Sequence, residues 1–100
     1  MTAQPKLFYR GSVPTTLSTI YSVPSSTEIV ITSMILVNAS TSSSNVSLRL
    51  GGVDLLKDGA VPPNDAVHFD IRQVMTASDS IEAGADVEGV TLHISGVEVS

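Results

Sequence analysis

The segment 28–39 limits the possible fold more than any other part of the sequence. β-Branched and long aliphatic residues dominate it, and no helix-capping signal flanks it, which favours a strand over a helix. Strict alternation would divide it into two faces, one with Ile29, Ile31, Ser33, Ile35 and Val37 and the other with Val30, Thr32, Met34, Leu36 and Asn38. Because both faces are largely apolar, the segment is predicted to be a central strand covered on both sides. The second cover comes from the same domain or from a neighbouring subunit.

Shorter strand patterns lie on both sides of this segment. They are residues 6–10, 17–23 (with Leu17, Thr19, Tyr21 and Val23 on one face), 46–50, 53–56, 66–71 (with Val67, Phe69 and Ile71 inward), 81–83 and 90–94. Gly51-Gly52 between two alternating runs predicts a two-residue hairpin, and Asp58-Gly59 predicts another turn. Gly96 interrupts the last apolar alternation, which predicts a β-bulge there and the opposite parity for Val97 and Val99.

About eight short strands, with turns every ~8–12 residues, are typical of two-layer β proteins. The sequence therefore predicts an all-β fold, a compact antiparallel β-sandwich or jelly roll. The 100 residues suit one domain, 1–100, in which residues 1–14 form an extended N-terminal arm or an edge strand. Val, Ile and Thr supply 29 residues and aromatic residues only 4, so the core is expected to be aliphatic.

Composition argues against several classes of function. The chain has no cysteine, which removes disulfides, thiolate chemistry and the usual ligands of structural zinc, and suits synthesis in a reducing cytoplasm. Its five scattered cations and net charge of −5 do not provide the clustered basic surface that nucleic-acid binding needs. No signal peptide or segment of membrane-spanning length is visible.

Few residues suggest a chemical site. His68 and Asp70 share the predicted outer face of one strand and could bind a metal or exchange a proton, but His93 is the only other histidine. The acidic run Asp54, Asp58, Asp65 and Asp70 lacks the ligand spacing of an EF-hand, and no Gly-x-Ser-x-Gly motif is present. The sequons at Asn38 and Asn45 are interpreted as chance matches in a serine-rich region. We therefore expect no catalytic, cofactor or metal site and no enzymatic activity.

Five segments together resemble small β-sandwich virion proteins of tailed bacteriophages. They are PKLFYRGS, IYSVPSSTEIVITSMILVNAS, LLKDGAVPPNDAVHFD, VMTASDSIEA and LHISGVEVS, and they span nearly the whole chain. Their motifs are turns and core strands. One departure is visible, because the turn before Ile81 often reads Gly-Asp in such proteins and reads Ser78-Asp79 here.

The resemblance implies a non-enzymatic structural component of the virion, made in the host cytoplasm. A minor tail or tail-tip protein is the first expectation. A capsid decoration (cement) protein is the alternative, and a carbohydrate- or receptor-binding module is a further one. The expected partners are other virion structural proteins and further copies of the chain, since segments 28–39 and 90–99 carry more apolar surface than one small sandwich covers. A trimer is the first expectation, and the residues leave head or tail location open.

Overall fold

The computed structural model describes residues 3–99, so residues 1, 2 and 100 of the predicted domain lie outside the described residues. Within that range the protein is built from strands without a helix, which confirms the all-β prediction. The nine strands are β1 (Ala3–Ser12), β2 (Ser18–Ser22), β3 (Glu28–Asn38), β4 (Ser44–Leu50), β5 (Val53–Val61), β6 (Asp65–Phe69), β7 (Gln73–Met75), β8 (Ser80–Ala85) and β9 (Val90–Val99). No helix long and apolar enough to cross a bilayer occurs between residues 3 and 99.

The strands form two antiparallel sheets, as the prediction of a β-sandwich required. Sheet A has the order β1-β9-β3, and β6 and β7 pair one after the other with the remaining edge of β3. Sheet B has the order β2-β8-β4-β5. Consecutive strands change sheet at every connection except the β4–β5 and β6–β7 steps. β1 is an edge strand that pairs with β9.

Aliphatic side chains fill the space between the sheets. Sheet A contributes Ile29, Ile31, Met34, Leu36, Val90, Leu92 and Ile94, and sheet B contributes Val46, Leu48, Val61, Ile81 and Ala83. Each fully buried Ile, Leu or Val stabilises the fold by about 1.5–3 kcal/mol relative to an exposed one. Phe8 and Tyr21 pack against each other with ring centroids 5.4 Å apart and link β1 of sheet A to β2 of sheet B.

β3 is the central strand that the sequence predicted, but its two faces are not those of strict alternation. The register against β9 shifts between Ile31 and Ser33, so Thr32 is an extra residue in a β-bulge. Ile29 and Ile31 point into the core before the bulge, whereas Met34 and Leu36 do so after it. The prediction that Ile31 and Ile35 share one face is therefore wrong.

Gly96 lies next to this bulge, in β9. A Cβ atom at Gly96 would come within 1.9 Å of the Val30 carbonyl oxygen, so only glycine permits this approach of β9 to β3. The extra residues opposite this part of β9 are Thr32 in β3 and Phe8 in β1. The sequence thus predicted the right place for the irregularity but the wrong strand.

The two predicted turns around β5 had different outcomes. Gly51 and Gly52 form the predicted hairpin, with φ angles of 61° and 81°. Asp58-Gly59 is not a turn, because β5 continues through it to Val61. The register shifts there, Asp58 has a φ of 49°, and its amide donates to Ser47 Oγ at 3.1 Å. The turn-forming residues mark a bulge within the strand.

The segment 17–23 also departs from its predicted single face. The register of β2 against β8 shifts between Thr19 and Tyr21, which breaks the alternation. Leu17 and Thr19 are consequently exposed, whereas Tyr21 and Val23 contact the core. In β6, by contrast, Val67 and Phe69 pack on the core and Ala66 and His68 are exposed, as predicted.

Candidate interaction surface

The outer face of sheet A carries an apolar band that crosses the whole sheet. Because cross-strand partners point to the same side of a sheet, the register defines this band without ambiguity. The band, called the apolar row below, consists of Pro5, Val97, Val30 and Val74. Val74 is 65% exposed, and Leu7, on the same face two residues after Pro5 in β1, is 45% exposed. Large apolar side chains are therefore displayed to solvent together.

A second row crosses the same face on the other side of the bulge. It consists of Arg10, His93, Ile35 and His68 and is called the basic row below. Val37 and Ala66 follow it toward the end of the sheet. His68 Nε2 lies 3.4 Å from Ser33 Oγ. This half of the face combines half-buried aliphatic side chains with nitrogen donors.

The outer face of sheet B has a different character. Its cross-strand row consists of Thr19, Glu82, Arg49 and Asp54. Arg49 Nε lies 3.3 Å from Asp54 Oδ1, and Arg49 Nη1 lies 4.0 Å from Glu82 Oε1. Exposed pairs of this kind add little stability but suit a surface in contact with water. The two sheets thus present one polar outer face and one largely apolar outer face.

The histidine and aspartate singled out from the sequence do not form a site. β6 ends at Phe69, so Asp70 follows the strand that carries His68. His93 lies two strands away from His68, with Ile35 between them. Among residues 3–99, no group of three His, Cys, Asp or Glu side chains is close enough to hold a metal ion.

The acidic run is dispersed over the molecule. Asp54 pairs with Arg49, Asp58 lies in the β5 bulge, and Asp65 Oδ1 accepts a hydrogen bond from the Ala66 amide. A shallow groove of about 210 Å³ beside Gly84 is lined in part by Ser47, Asp58 and Asp86. Ser47 and Asp86 of this groove make hydrogen bonds within the chain.

In that groove, Asp86 Oδ1 accepts hydrogen bonds from Ser44 Oγ at 3.1 Å and from the Asn45 amide at 2.8 Å. Ser47 Oγ accepts a hydrogen bond from the backbone amide of Asp58. Two of the polar residues that line the groove are therefore bonded within the chain.

Lys6 and Glu98 form an ion pair at the open end of the sandwich. Their cross-strand partners Gly96 and Ile29 are buried, so both occupy inward-facing positions of sheet A. Lys6 Nζ lies 2.7 Å from Glu98 Oε2, and this hydrogen bond raises the pKa of Lys6. The pair satisfies two charges without adding charge to the outer face.

Asn38 is a structural residue whose role the sequence analysis did not predict. It is fully buried at the end of β3, and its Nδ2 donates to the carbonyl oxygens of Ser42 at 2.8 Å and Val61 at 3.0 Å. Its Oδ1 accepts hydrogen bonds from the backbone amide and the hydroxyl of Ser40. The amide thus holds the β3–β4 connection in place. The available signal was an Asn that ends an apolar strand and is followed by several serines.

Comparisons with known proteins give structural likenesses but no family match. No protein-family model matches the chain, and no curated protein matches it significantly. Among solved structures, the chain is similar to one described as the crystal structure of a pentameric capsid protein isolated from metagenomic phage sequences, with a TM-score of 0.41 and 20% sequence identity. The likeness covers 89% of this chain and 57% of that chain, so the chain spans little more than half of that protein's length.

Proposed function

We propose that this protein is a non-enzymatic structural component of a tailed-phage virion, a minor tail or tail-tip protein that assembles as a homo-oligomer. The observation that carries the structural role is the contrast between the outer faces of the two sheets. An apolar band displayed across one whole sheet marks an interaction surface, because monomeric proteins rarely leave such a band uncovered. The phage assignment rests on the five sequence segments that resemble small virion proteins.

The fold supports the same proposal. If β6 and β7 are counted as one interrupted strand, the chain has eight strands in two four-stranded sheets. We infer from the alternation of consecutive strands between the sheets that the sandwich is a jelly roll, an architecture found in viral capsid and lectin domains. Capsid decoration is therefore the alternative location within the virion.

The aromatic residues favour a structural role over carbohydrate binding. Sugar sites commonly present exposed aromatic rings for stacking. Here Phe8 is buried against Tyr21, and Phe69 and Tyr9 pack on the core. The Tyr9 hydroxyl donates to the Ser12 carbonyl oxygen at 2.6 Å. These rings build the fold, which makes the receptor-binding module the weakest of the three alternatives.

Labelling of intact particles tests the proposed function. Purified virions from a host that expresses the protein are incubated with antibody against it and viewed by electron microscopy. Label at the tail or its tip supports the leading proposal, and label over the head supports capsid decoration. Particles that contain none of the protein by mass spectrometry overturn the virion proposal. The trimer expected from the sequence stays a prediction.

A further inference from the structure

The outer face of sheet A has an acidic residue near one end and Arg10, His93 and His68 near the other. Glu28 is the only acid at an outward-facing paired position of sheet A within residues 3–99, and it lies two residues before Val30 of the apolar row. The basic row lies on the other side of the apolar row, where His68 and His93 flank Ile35. Neither Glu28 nor Arg10 forms an ion pair within the described part of the chain. These charges are available to a partner.

We propose that this face is the contact between two copies of the chain, stacked face to face about a two-fold axis that runs across the strands. The proposal rests on the homo-oligomer of the proposed function and names its interface. The axis reverses strand direction, so Glu28 of each copy lies over His68 and His93 of the other. The same symmetry operation places the Glu28 carboxylate, a hydrogen-bond acceptor, near imidazole nitrogens at both ends of the contact.

The apolar row lies beside the axis, between Glu28 and the basic row, and in this register it faces the row of Leu7, Ser95 and Ser33 of the other copy. Neighbouring strands are ~4.8 Å apart and residues rise ~3.3 Å along a strand, so the face measures about 20 Å by 30 Å. Two such faces bury about 1,200 Å², the lower end of the range for specific, stable interfaces. Val74, Val97 and Leu7 become covered in this arrangement. Valine and leucine side chains near the axis, with polar groups toward the ends, match the usual composition of such a contact.

A second copy through sheet A is favoured over a head-to-tail contact between sheet A and sheet B. The outer face of sheet B carries the charged row with Glu82, Arg49 and Asp54, and covering it with valines would remove those charges from water. The two outer faces also lie on opposite sides of the sandwich, so head-to-tail contact would extend into an open stack. The face-to-face contact closes as a dimer, which differs from the trimer expected from the sequence.

Matched aspartate substitutions test the surface. Sedimentation equilibrium of the wild-type chain is expected to report a dimer. Val74→Asp or Leu7→Asp should raise the dissociation constant of that dimer at least about tenfold. Val53→Asp and Leu17→Asp are the controls, because their side chains are 70% and 44% exposed but lie away from this face. Circular dichroism checks that all four variants stay folded. Equal effects of test and control variants would overturn the proposed surface.

A charge exchange tests the symmetry. Glu28→Lys is expected to weaken the dimer, and adding His68→Glu to that variant should restore it, because a lysine and a carboxylate then face each other across the two-fold axis. Failure of the second change to restore association overturns the antiparallel arrangement. A trimer that is insensitive to Val74→Asp overturns this interface but leaves the homo-oligomer intact. A wild-type chain that is monomeric in solution overturns both the interface and the homo-oligomer, while particle labelling still decides the virion role.

Discussion

The bulge at Thr32 predicts that aspartate at two nearby positions of one strand will have different consequences. Ile31 lies before the bulge and is fully buried between the sheets. Ile31→Asp removes about 1.5–3 kcal/mol of apolar burial and places an unpaired carboxylate in the core, which costs several kcal/mol more. The total is comparable to the ~5–15 kcal/mol by which a domain of this size is stable. We expect this variant to be unfolded.

Ile35 lies after the bulge and points to the outer face, between His93 and His68. A carboxylate at this position reaches water in the single chain, so Ile35→Asp should lower the free energy of unfolding by only about 1 kcal/mol, the range of strand propensities. Its main expected effect is on association, because the carboxylate would be covered in the dimer. We therefore expect a folded, monomeric variant.

Urea denaturation followed by circular dichroism measures the first effect, and sedimentation equilibrium measures the second. Denaturation at low protein concentration keeps association from adding to the apparent stability. Strict alternation along β3 instead predicts the same fate for both variants. The bulge-based reasoning is refuted if Ile35→Asp unfolds as readily as Ile31→Asp, or if Ile31→Asp remains folded.

Three further substitutions test local features of the fold by urea denaturation. Gly96→Ala should lower the free energy of unfolding by about 3 kcal/mol, because the added Cβ would meet a backbone oxygen. The control Gly11→Ala should change it by less than about 0.5 kcal/mol, and equal losses in the two variants would contradict the close approach at Gly96. Ser78→Gly should raise it by about 0.5–1 kcal/mol, since Ser78 has a φ of 74°, and a loss of stability would show that this strain is absent. Asn38→Ala should lower it by about 2–4 kcal/mol by leaving buried backbone groups unpaired, and Asn45→Ala, which is exposed, should be neutral.

The features that the sequence predicted correctly are those with a local physical cause. The β-branched run of segment 28–39 favoured a strand, and apolar residues on both faces indicated its central place in a sheet. Gly51-Gly52 predicted its hairpin because both residues need positive φ. The alternation of Val67 and Phe69 with Ala66 and His68 gave the correct inward and outward faces of β6. Each signal lies within a few residues of its effect.

The features that sequence reasoning missed depend on neighbours that are distant in the chain. The extra residue Thr32 is defined only by the register against β9, whose Gly96 is more than sixty residues away. The same applies to Asp58, whose turn-forming character is used inside β5 opposite Ser47. The buried role of Asn38 depends on the Val61 carbonyl in another strand. A pattern of period two cannot show where a strand gains a residue.

The bulge also explains why the outer face of sheet A is apolar. Strict alternation would have placed Ser33 in the core with Ile31 and moved Met34 and Leu36 outside. The extra residue turns Ser33 outward and brings Met34 and Leu36 into the core, so the interior is continuously apolar. The same shift leaves Ile35 facing outward, on the face that Val30 already occupies. Core packing does not require an aliphatic side chain at either outward position, since a polar residue there would leave the core unchanged. Their apolar character is therefore better explained by a partner that covers the face than by the stability of the single chain.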